Sequence, residues 1–272
     1  MDCVQDISSQ IKWVGSSDRR LALFENLFPL ENGVTYNSYL IMDEKTALID
    51  TVDTSVTAQF FENLHSVLGE RKLEYLIVNH MEPDHCANIE EICRRWPDVK
   101  IVGNAKTFQL IRQFYNMDDI DSRIYEVKAG DTISLGKHTL KFLMAPMVHW
   151  PEVMFTYEES EKILFSADAF GTFGGLTGNL FCDETDYDDV YMNEARRYYT
   201  NIVGKFGPQV LAALKKLDGT DISMICPLHG PMLRGKVMDK LIEKYTLWAS
   251  YKPEKRGAVI AYASIYGNTQ SA

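Results

Sequence analysis

Apolar residues recur along this chain with two periods, and the switches between them mark out the elements. Tyr36–Met42 and Thr46–Asp50 are short apolar runs joined by the polar Asp43-Glu44-Lys45, which predicts a hairpin. From Thr54 the spacing changes, and Phe60, Phe61, Leu64, Val67 and Leu68 share one face of a helix over about 54–69. The apolar run Leu73–Val78 predicts a buried strand. A helix follows Cys86 through Ile89, Ile92 and Trp96 and is stopped by Pro97, before a strand over Lys100–Val102 and a helix over about 105–116.

Beyond that point the pattern is richer in strands. Thr132–Leu135, Thr139–Ala145, Val153–Tyr157 and Lys162–Ser166 read as mainly antiparallel strands with polar turns between them. Helices over Tyr187–Val203 and Pro208–Leu217, the second with proline at its first position, precede the strand Ile222–Cys226, and a last helix reaches about Trp248. Strand-rich halves interleaved with helices predict an α/β (α+β) fold of two packed sheets covered by helices on both outer faces, a four-layer αββα sandwich over residues 1–250. The polar stretch Tyr251–Gly257, broken by proline and glycine, reads as a linker. After it, Ala258–Ala263 predicts a strand, and Ser264-Ile265-Tyr266-Gly267-Asn268-Thr269 a hydroxyl-rich turn opening a helix, the start of another unit over 258–272.

Composition narrows the partners more than the fold. With 46% hydrophobic and 24% charged residues, the 272-residue chain has ample material for a continuous core. A formal net charge of −10 argues against a nucleic-acid binder, which needs clustered lysine and arginine to neutralise phosphates. No apolar run is long enough to span a membrane, and Met1–Gln10 is polar, so a cytoplasmic location is expected. Cys3, Cys86, Cys93, Cys182 and Cys226 are odd in number, far apart and without a zinc-type pair. They read as reduced thiols; Cys86 and Cys226 lie near histidines, but small buried packing is the simpler role for them.

The chemistry is concentrated in Asn79-His80-Met81-Glu82-Pro83-Asp84-His85, which sets four potential metal ligands directly after the predicted strand Leu73–Val78. Neighbouring Glu82 and Asp84 would repel one another unless a cation removed that cost. His149, Asp168 and His229 stand in the same strand-to-loop context further on. A lone histidine there is more often a satisfied structural residue than a ligand. Four of the six histidines, at 80, 85, 149 and 229, fall in such loops, whereas His65 and His138 read as solvated positions, and the set as a whole points to a metal site.

His-x-Glu-x-Asp-His followed by a distant His, Asp and His resembles the metallo-β-lactamase signature in the variant of the flavodiiron proteins. Zinc hydrolases of that fold usually carry histidine at the position of Glu82, and the extra oxygen donor makes a harder site that favours iron. The segments Ser166–Gly171 and Pro227–Pro231 are similar to the family's, and Ser264–Thr269 is similar to the phosphate loop of the flavodoxin module that follows in those proteins. The resemblance implies that His80, Glu82 and His149 hold one iron, Asp84 and His229 the other, and that Asp168 bridges them. His85 is either a further ligand or a hydrogen bonder to water. It also implies FMN phosphate binding by Ser264, Tyr266, Gly267, Asn268 and Thr269 in a complete flavodoxin domain, with no FMN expected on the 272 residues alone.

From the same resemblance, the expected activity is that of an oxidoreductase at a non-haem diiron site. It reduces O2 to water, NO to N2O, or both, with electrons passed through FMN from a rubredoxin-like or flavoprotein donor, in a head-to-tail homodimer. Trp150, Phe170 and Phe173 lie near the ligands in sequence and are expected either to line the substrate entry or, Phe170 above all, to pack in the core. The competing readings are a zinc hydrolase of the same fold acting through metal-bound hydroxide, against which Glu82 stands, and a non-enzymatic electron-transfer or structural remnant, which would leave the ligand set unexplained.

Overall fold

Side chains alternate across a strand, and in this chain both faces of the central strands are apolar, so each sheet must be covered twice. In Tyr39–Met42, Tyr39 and Ile41 are buried on one face and Leu40 on the other. The computed structural model describes residues 3–258 and 260–272 and meets this demand with two sheets packed face to face. Strands Gln5–Asp6, Ile11–Trp13, Tyr39–Met42, Thr46–Ile49, Tyr75–Ile77, Lys100–Gly103 and Ile124–Glu126 lie side by side in that order, antiparallel up to Thr46–Ile49 and parallel from there on. The second sheet runs Thr132–Ser134, Thr139–Met144, Met154–Glu158, Ile163–Phe165, Met224–Cys226 and Leu233–Arg234, antiparallel except where Ile163–Phe165 meets Met224–Cys226.

Between the sheets lie Ile41, Ile49, Ile77, Leu140, Phe142 and Phe165. The outer face of the first sheet packs against helices, including Thr57–Leu68, whose Phe60, Phe61, Leu64 and Leu68 are buried at the predicted spacing. Each such side chain contributes about 1.5–3 kcal/mol on burial. The outer face of the second sheet is covered by Gly207–Lys216 and Gly235–Ala249, the latter through Met238, Leu241 and Tyr245. The expected αββα layering is therefore present, and among the described residues no helix is long and apolar enough to cross a membrane.

Some local expectations change. The predicted strand Tyr36–Met42 divides at Asn37-Ser38, because Val34–Tyr36 pairs separately with Ser16–Asp18 and both polar side chains are buried on other partners. The single helix expected over Tyr187–Val203 is instead Tyr187–Val190, Met192–Tyr198 and a π-turn, Tyr199–Val203. The wider turn changes the helix phase, and Tyr198, Tyr199, Ile202 and Val203 are all buried. His138, read as solvated, is fully buried at the amino end of Thr139–Met144, where its Nδ1 meets Glu158 Oε1 at 2.9 Å. His65 is exposed as expected.

Cys86 and Cys226 are buried free thiols that belong to neither candidate metal cluster. In the stretch 258–263, Val259 lies outside the described residues and the described positions form no strand. Ile260 and Tyr262 are exposed there, and among the described residues no strand pairs with this stretch. Asn268–Ser271 forms one helical turn after Gly267.

Gly230 follows His229 with φ +81°, and a Cβ there would lie 2.1 Å from Thr172 Cγ2. Gly230→Ala combines a left-handed conformation costing about 1–2 kcal/mol with overpacking of about 1–3 kcal/mol. It is expected to lower the thermal midpoint by several degrees; an unchanged midpoint in a melting curve would contradict the close approach.

Candidate metal centre

The ligand-rich loop leaves the carboxyl end of Tyr75–Ile77, and its first residues are fixed by a carboxylate on the neighbouring strand. Asp50 accepts from the backbone N–H of Asn79 at 2.7 Å and of His80 at 3.2 Å. Pro83 then opens a single helical turn, Pro83–Cys86, with Glu82 extended before it. Proline suits this first helical position, since its missing N–H would be unpaired anyway. The turn carries Asp84 and His85 inward behind Glu82. His149, Asp168 and His229 arrive from loops after Thr139–Met144, Ile163–Phe165 and Met224–Cys226, all at the same edge of the sandwich.

All seven residues singled out in the sequence meet here. His80, Glu82, His149 and Asp168 form one cluster and Asp84, His85 and His229 another, with the ligand atoms of each within 4.8 Å of one another. Around the first, His149 Nε2 lies 3.0 Å from Glu82 Oε2 and 3.1 Å from Asp168 Oδ2, and His80 Nε2 lies 3.2 Å from Glu82 Oε2. Around the second, His85 Nε2 and His229 Nε2 each lie 3.4 Å from Asp84 Oδ2. Asp168 faces both: Oδ2 turns to the first cluster, while Oδ1 lies 3.1 Å from His85 Nε2 and 3.7 Å from His229 Nε2.

The histidine orientations have identifiable causes. His80 donates from Nδ1 to Glu152 Oε1 at 2.8 Å, and the same oxygen accepts the Met81 N–H at 2.8 Å. His229 donates from Nδ1 to the Thr35 carbonyl at 2.7 Å. Both bonds leave the Nε2 lone pair facing the cluster. His85 Nδ1 has no hydrogen-bond partner among the described residues, so its ring is oriented by packing and by the contacts of Nε2 within the cluster. The His229 loop is held from the other sheet by Asn37, whose Nδ2 donates to Pro227 O and Gly230 O at 2.8 Å each. Tyr36, Phe24 and Tyr198 pack around the His229 ring with centroids 5.8, 5.3 and 5.4 Å away.

Burial opposes charge at these groups, and the neighbours decide the outcome. It would lower the His80 and His149 imidazoles, but the surrounding carboxylates outweigh it, lifting His80 well above its ordinary value and His149 to about 9. Burial likewise works against the Asp168 carboxylate, and His85, His80 and His149 hold it well below the usual range. Asp50, fully buried, is pushed up to about 7. A divalent cation fits this donor set. Both Asp84 oxygens are buried without a hydrogen-bond partner among the described residues, a costly state that coordination would relieve.

A cavity of about 470 Å³ reaches Glu82 and Asp84 from outside, walled by Leu21, Leu23, Phe24 and Tyr36 with Glu25 and Asp53 at its edge. The aromatic lining expected from Trp150, Phe170 and Phe173 is thus supplied by other residues. Trp150 packs edge-on to His80 at 5.5 Å, Phe173 is fully buried against Phe24 and Tyr198, and Phe170 packs on Tyr245 at 4.3 Å in the core. Ser264, Tyr266, Gly267, Asn268 and Thr269 lie in the terminal segment and do not join the metal-ligand clusters. Glu152, Asp50, Asn37 and the Thr35 carbonyl escaped the sequence reading. The only signal for Glu152 is an acidic residue in an otherwise apolar strand approach.

Glu152→Gln removes the charge that would make His80 a strong ligand and is expected to weaken metal affinity by about 10–100-fold in chelator competition; undiminished affinity would remove Glu152 from the site. In the metal-free protein His149 has its pKa raised to about 9, against about 6.5 when unfolded, so its contribution to stability is complete below about pH 6.5 and lost as pH rises through 9. A bound cation replaces that proton. The thermal midpoint of chelator-stripped protein should therefore fall between pH 6.5 and 9, with a widening gap to the metal-loaded form.

Comparison with known proteins agrees with this geometry. A family model described as "ODP family beta lactamase" matches residues 34–230. The chain is 36% identical over 267 residues to a nitric oxide reductase of Moorella thermoacetica, covering 97% of this chain and 65% of that one. Among solved structures it is similar to the flavodiiron protein of Giardia intestinalis, with TM-score 0.87, 29% identity and coverage of 92% and 60% of the two chains. It is also similar to rubredoxin oxygen:oxidoreductase of Desulfovibrio gigas, with TM-score 0.84, 31% identity and coverage of 92% and 62%. The chain spans between half and two thirds of the length of the curated relatives it matches. Matched over most of its length and folded as its structural neighbours are, the chain belongs to the ODP family of β-lactamase-fold proteins, the metallo-β-lactamase-like domain of flavodiiron proteins.

Proposed function

We propose that the site holds two iron ions and reduces oxygen to water, nitric oxide to nitrous oxide, or both. The observation that carries this reading is Asp168, one carboxylate turned towards two separate groups of imidazole and carboxylate donors. His80, Glu82 and His149 would hold one ion, Asp84, His85 and His229 the other, with Asp168 shared. When bound, the metal pair would supply open positions for a diatomic ligand and electrons two at a time, which suffices for two nitric oxides to nitrous oxide, the further two that oxygen needs coming from the electron donor. The protein supplies orientation and exclusion. Glu152 and the Thr35 carbonyl hold His80 and His229 in the ligating tautomer, and the aromatic wall of Tyr36, Phe24 and Tyr198 keeps bulk water from the His229 side.

The mouth favours small uncharged substrates. Leu21, Leu23, Phe24, Tyr36 and Pro83 form its apolar part, and the charged side chains among its described lining residues are the carboxylates Glu25, Asp53, Glu82 and Asp84, with no lysine or arginine to receive an anion. A β-lactam carboxylate or a phosphodiester would find no counter-charge there, which weighs against the zinc hydrolase reading, as does Glu82 itself. The names of the Moorella and Desulfovibrio relatives support reduction of nitric oxide or oxygen.

Because the relatives are longer, the electron route is part of the same proposal. Residues 1–250 form the diiron domain, 251–257 a linker, and 258–272 the beginning of a flavodoxin-like domain in which Ser264, Tyr266, Gly267, Asn268 and Thr269 would contact the FMN phosphate. A rubredoxin-like or flavoprotein donor would feed that FMN, within a head-to-tail homodimer. The five free thiols support a cytoplasmic setting.

Protein produced in iron-supplemented medium is expected to carry about two iron ions per chain. After chemical reduction, it should be reoxidised on anaerobic mixing with nitric oxide or on exposure to oxygen, followed by stopped-flow absorption. His149→Ala should lower iron content and reoxidation together. Zinc retained despite the iron supplement, with ester or phosphodiester hydrolysis that needs no electron donor, would replace this reading with the hydrolase.

A further inference from the structure

The segment after the last long helix does not leave the domain freely at Tyr251. Tyr251 places its hydroxyl 3.2 Å from the Gly207 N–H, and Glu254 folds back onto two helices. Its carboxylate accepts a two-point contact from Arg196, with Nε to Oε1 at 2.7 Å and Nη2 to Oε2 at 3.2 Å. Lys244 Nζ lies 2.8 Å from Oε2, and the Trp248 indole N–H donates to Oε1 at 2.5 Å. The Glu254 side chain is only 16% exposed, so this is a shielded, charge-assisted latch rather than a chance surface pair.

Arg196 is the first of three consecutive residues on Met192–Tyr198 that reach three different parts of the molecule. Arg197 Nη2 donates to the Pro29 carbonyl, and its guanidinium lies 4.8 Å from the Phe173 ring centroid. Pro29 belongs to the small hairpin Leu23–Phe24 with Phe28–Pro29, closed by Leu27 N to Phe24 O and Leu30 N to Ala22 O, each at 2.9 Å. Leu23 and Phe24 of that hairpin wall the mouth of the metal centre. Tyr198 packs on His229 and Phe173. Successive residues on a helix point about 100° apart, so a small rotation or slide of this one turn moves all three contacts together.

We propose that the turn carrying Arg196, Arg197 and Tyr198 couples the Glu254 latch to the mouth hairpin, so that the position of the chain beyond residue 254 sets how firmly the metal centre is closed. Chain pulled away from the latch loosens the hairpin, and a docked latch tightens it. The device is independent of which metal occupies the site and of the reaction performed there. Coupling between two sites is reciprocal, which gives the idea two independent tests.

The experiment is hydrogen–deuterium exchange with mass spectrometry on the full metal-loaded chain, comparing wild type with Glu254→Gln and Arg197→Met, each checked for cooperative thermal unfolding. Glu254→Gln removes the charge while keeping the shape. It is expected to speed exchange about fivefold or more at residues 250–256 and also at Leu27 and Leu30, in the range of ordinary coupling factors. Arg197→Met should loosen the hairpin and, in return, speed exchange at 250–256. Glu254→Gln remains decisive if Arg197→Met proves too unstable to measure. Acceleration confined to the mutated residue's own segment, or no acceleration in either segment, would overturn the coupling.

Discussion

Four imidazoles and three carboxylates share one edge of the sandwich, six of the seven buried, and their mutual electrostatics is the constraint the rest of the structure answers to. Asp168 is completely removed from water, and a charge in that position is tolerated only when it is matched on every side. Breaking one partner of such a buried set typically costs about 3–5 kcal/mol, because the remaining charge is left uncompensated. The donors therefore come from strand ends, where the backbone is already held by the sheet ladder and the side chains have little freedom to escape.

A second tier of contacts converts this density into a usable geometry. Glu152 and the Thr35 carbonyl choose the tautomers of His80 and His229, Asp50 fixes the start of the ligand loop, and Asn37 ties the His229 loop to the opposite sheet. These partners come from strands and turns far apart in sequence: Asn37, just before the first-sheet strand Tyr39–Met42, and Thr35, in the separate pair of Val34–Tyr36 with Ser16–Asp18, both reach the His229 loop of the second sheet. The metal edge is thus one place where the two sheets are fastened by polar contacts, the turn Asp43–Lys45 against Leu135 and His138 being another, while between them the contact is mostly apolar. The helical turn around Arg196–Tyr198 adds a further connection, from the metal edge to the segment around Glu254.

The layers and the residues of the candidate site were largely legible in the sequence. Phe60, Phe61, Leu64 and Leu68 announce a helix with one buried face, and four histidines in strand-end loops are too improbable a pattern for ordinary surface residues. The hairpin at the mouth was not legible, since strands of two residues such as Leu23–Phe24 are too short to show a period. The π-turn at Tyr199–Val203 was hidden because aromatic residues at 198 and 199 fit a regular helix equally well on paper. His138 was misjudged for a related reason: its burial depends on Glu158, which lies on another strand.

Local sequence determined what local physics governs: the periods of the strands and helices, the proline that opens the ligand turn, and the residue types able to hold a hard cation. Tertiary structure alone decided which groups meet. Whether a carboxylate such as Glu152 is a solvated surface charge or the partner of His80, whether a histidine is buried, and whether Glu254 is free or latched all depend on contacts between residues distant in the chain. Hydrogen bonds and charge pairs act over a few ångströms in space, and separation along the sequence carries no information about that distance until the sheets have packed.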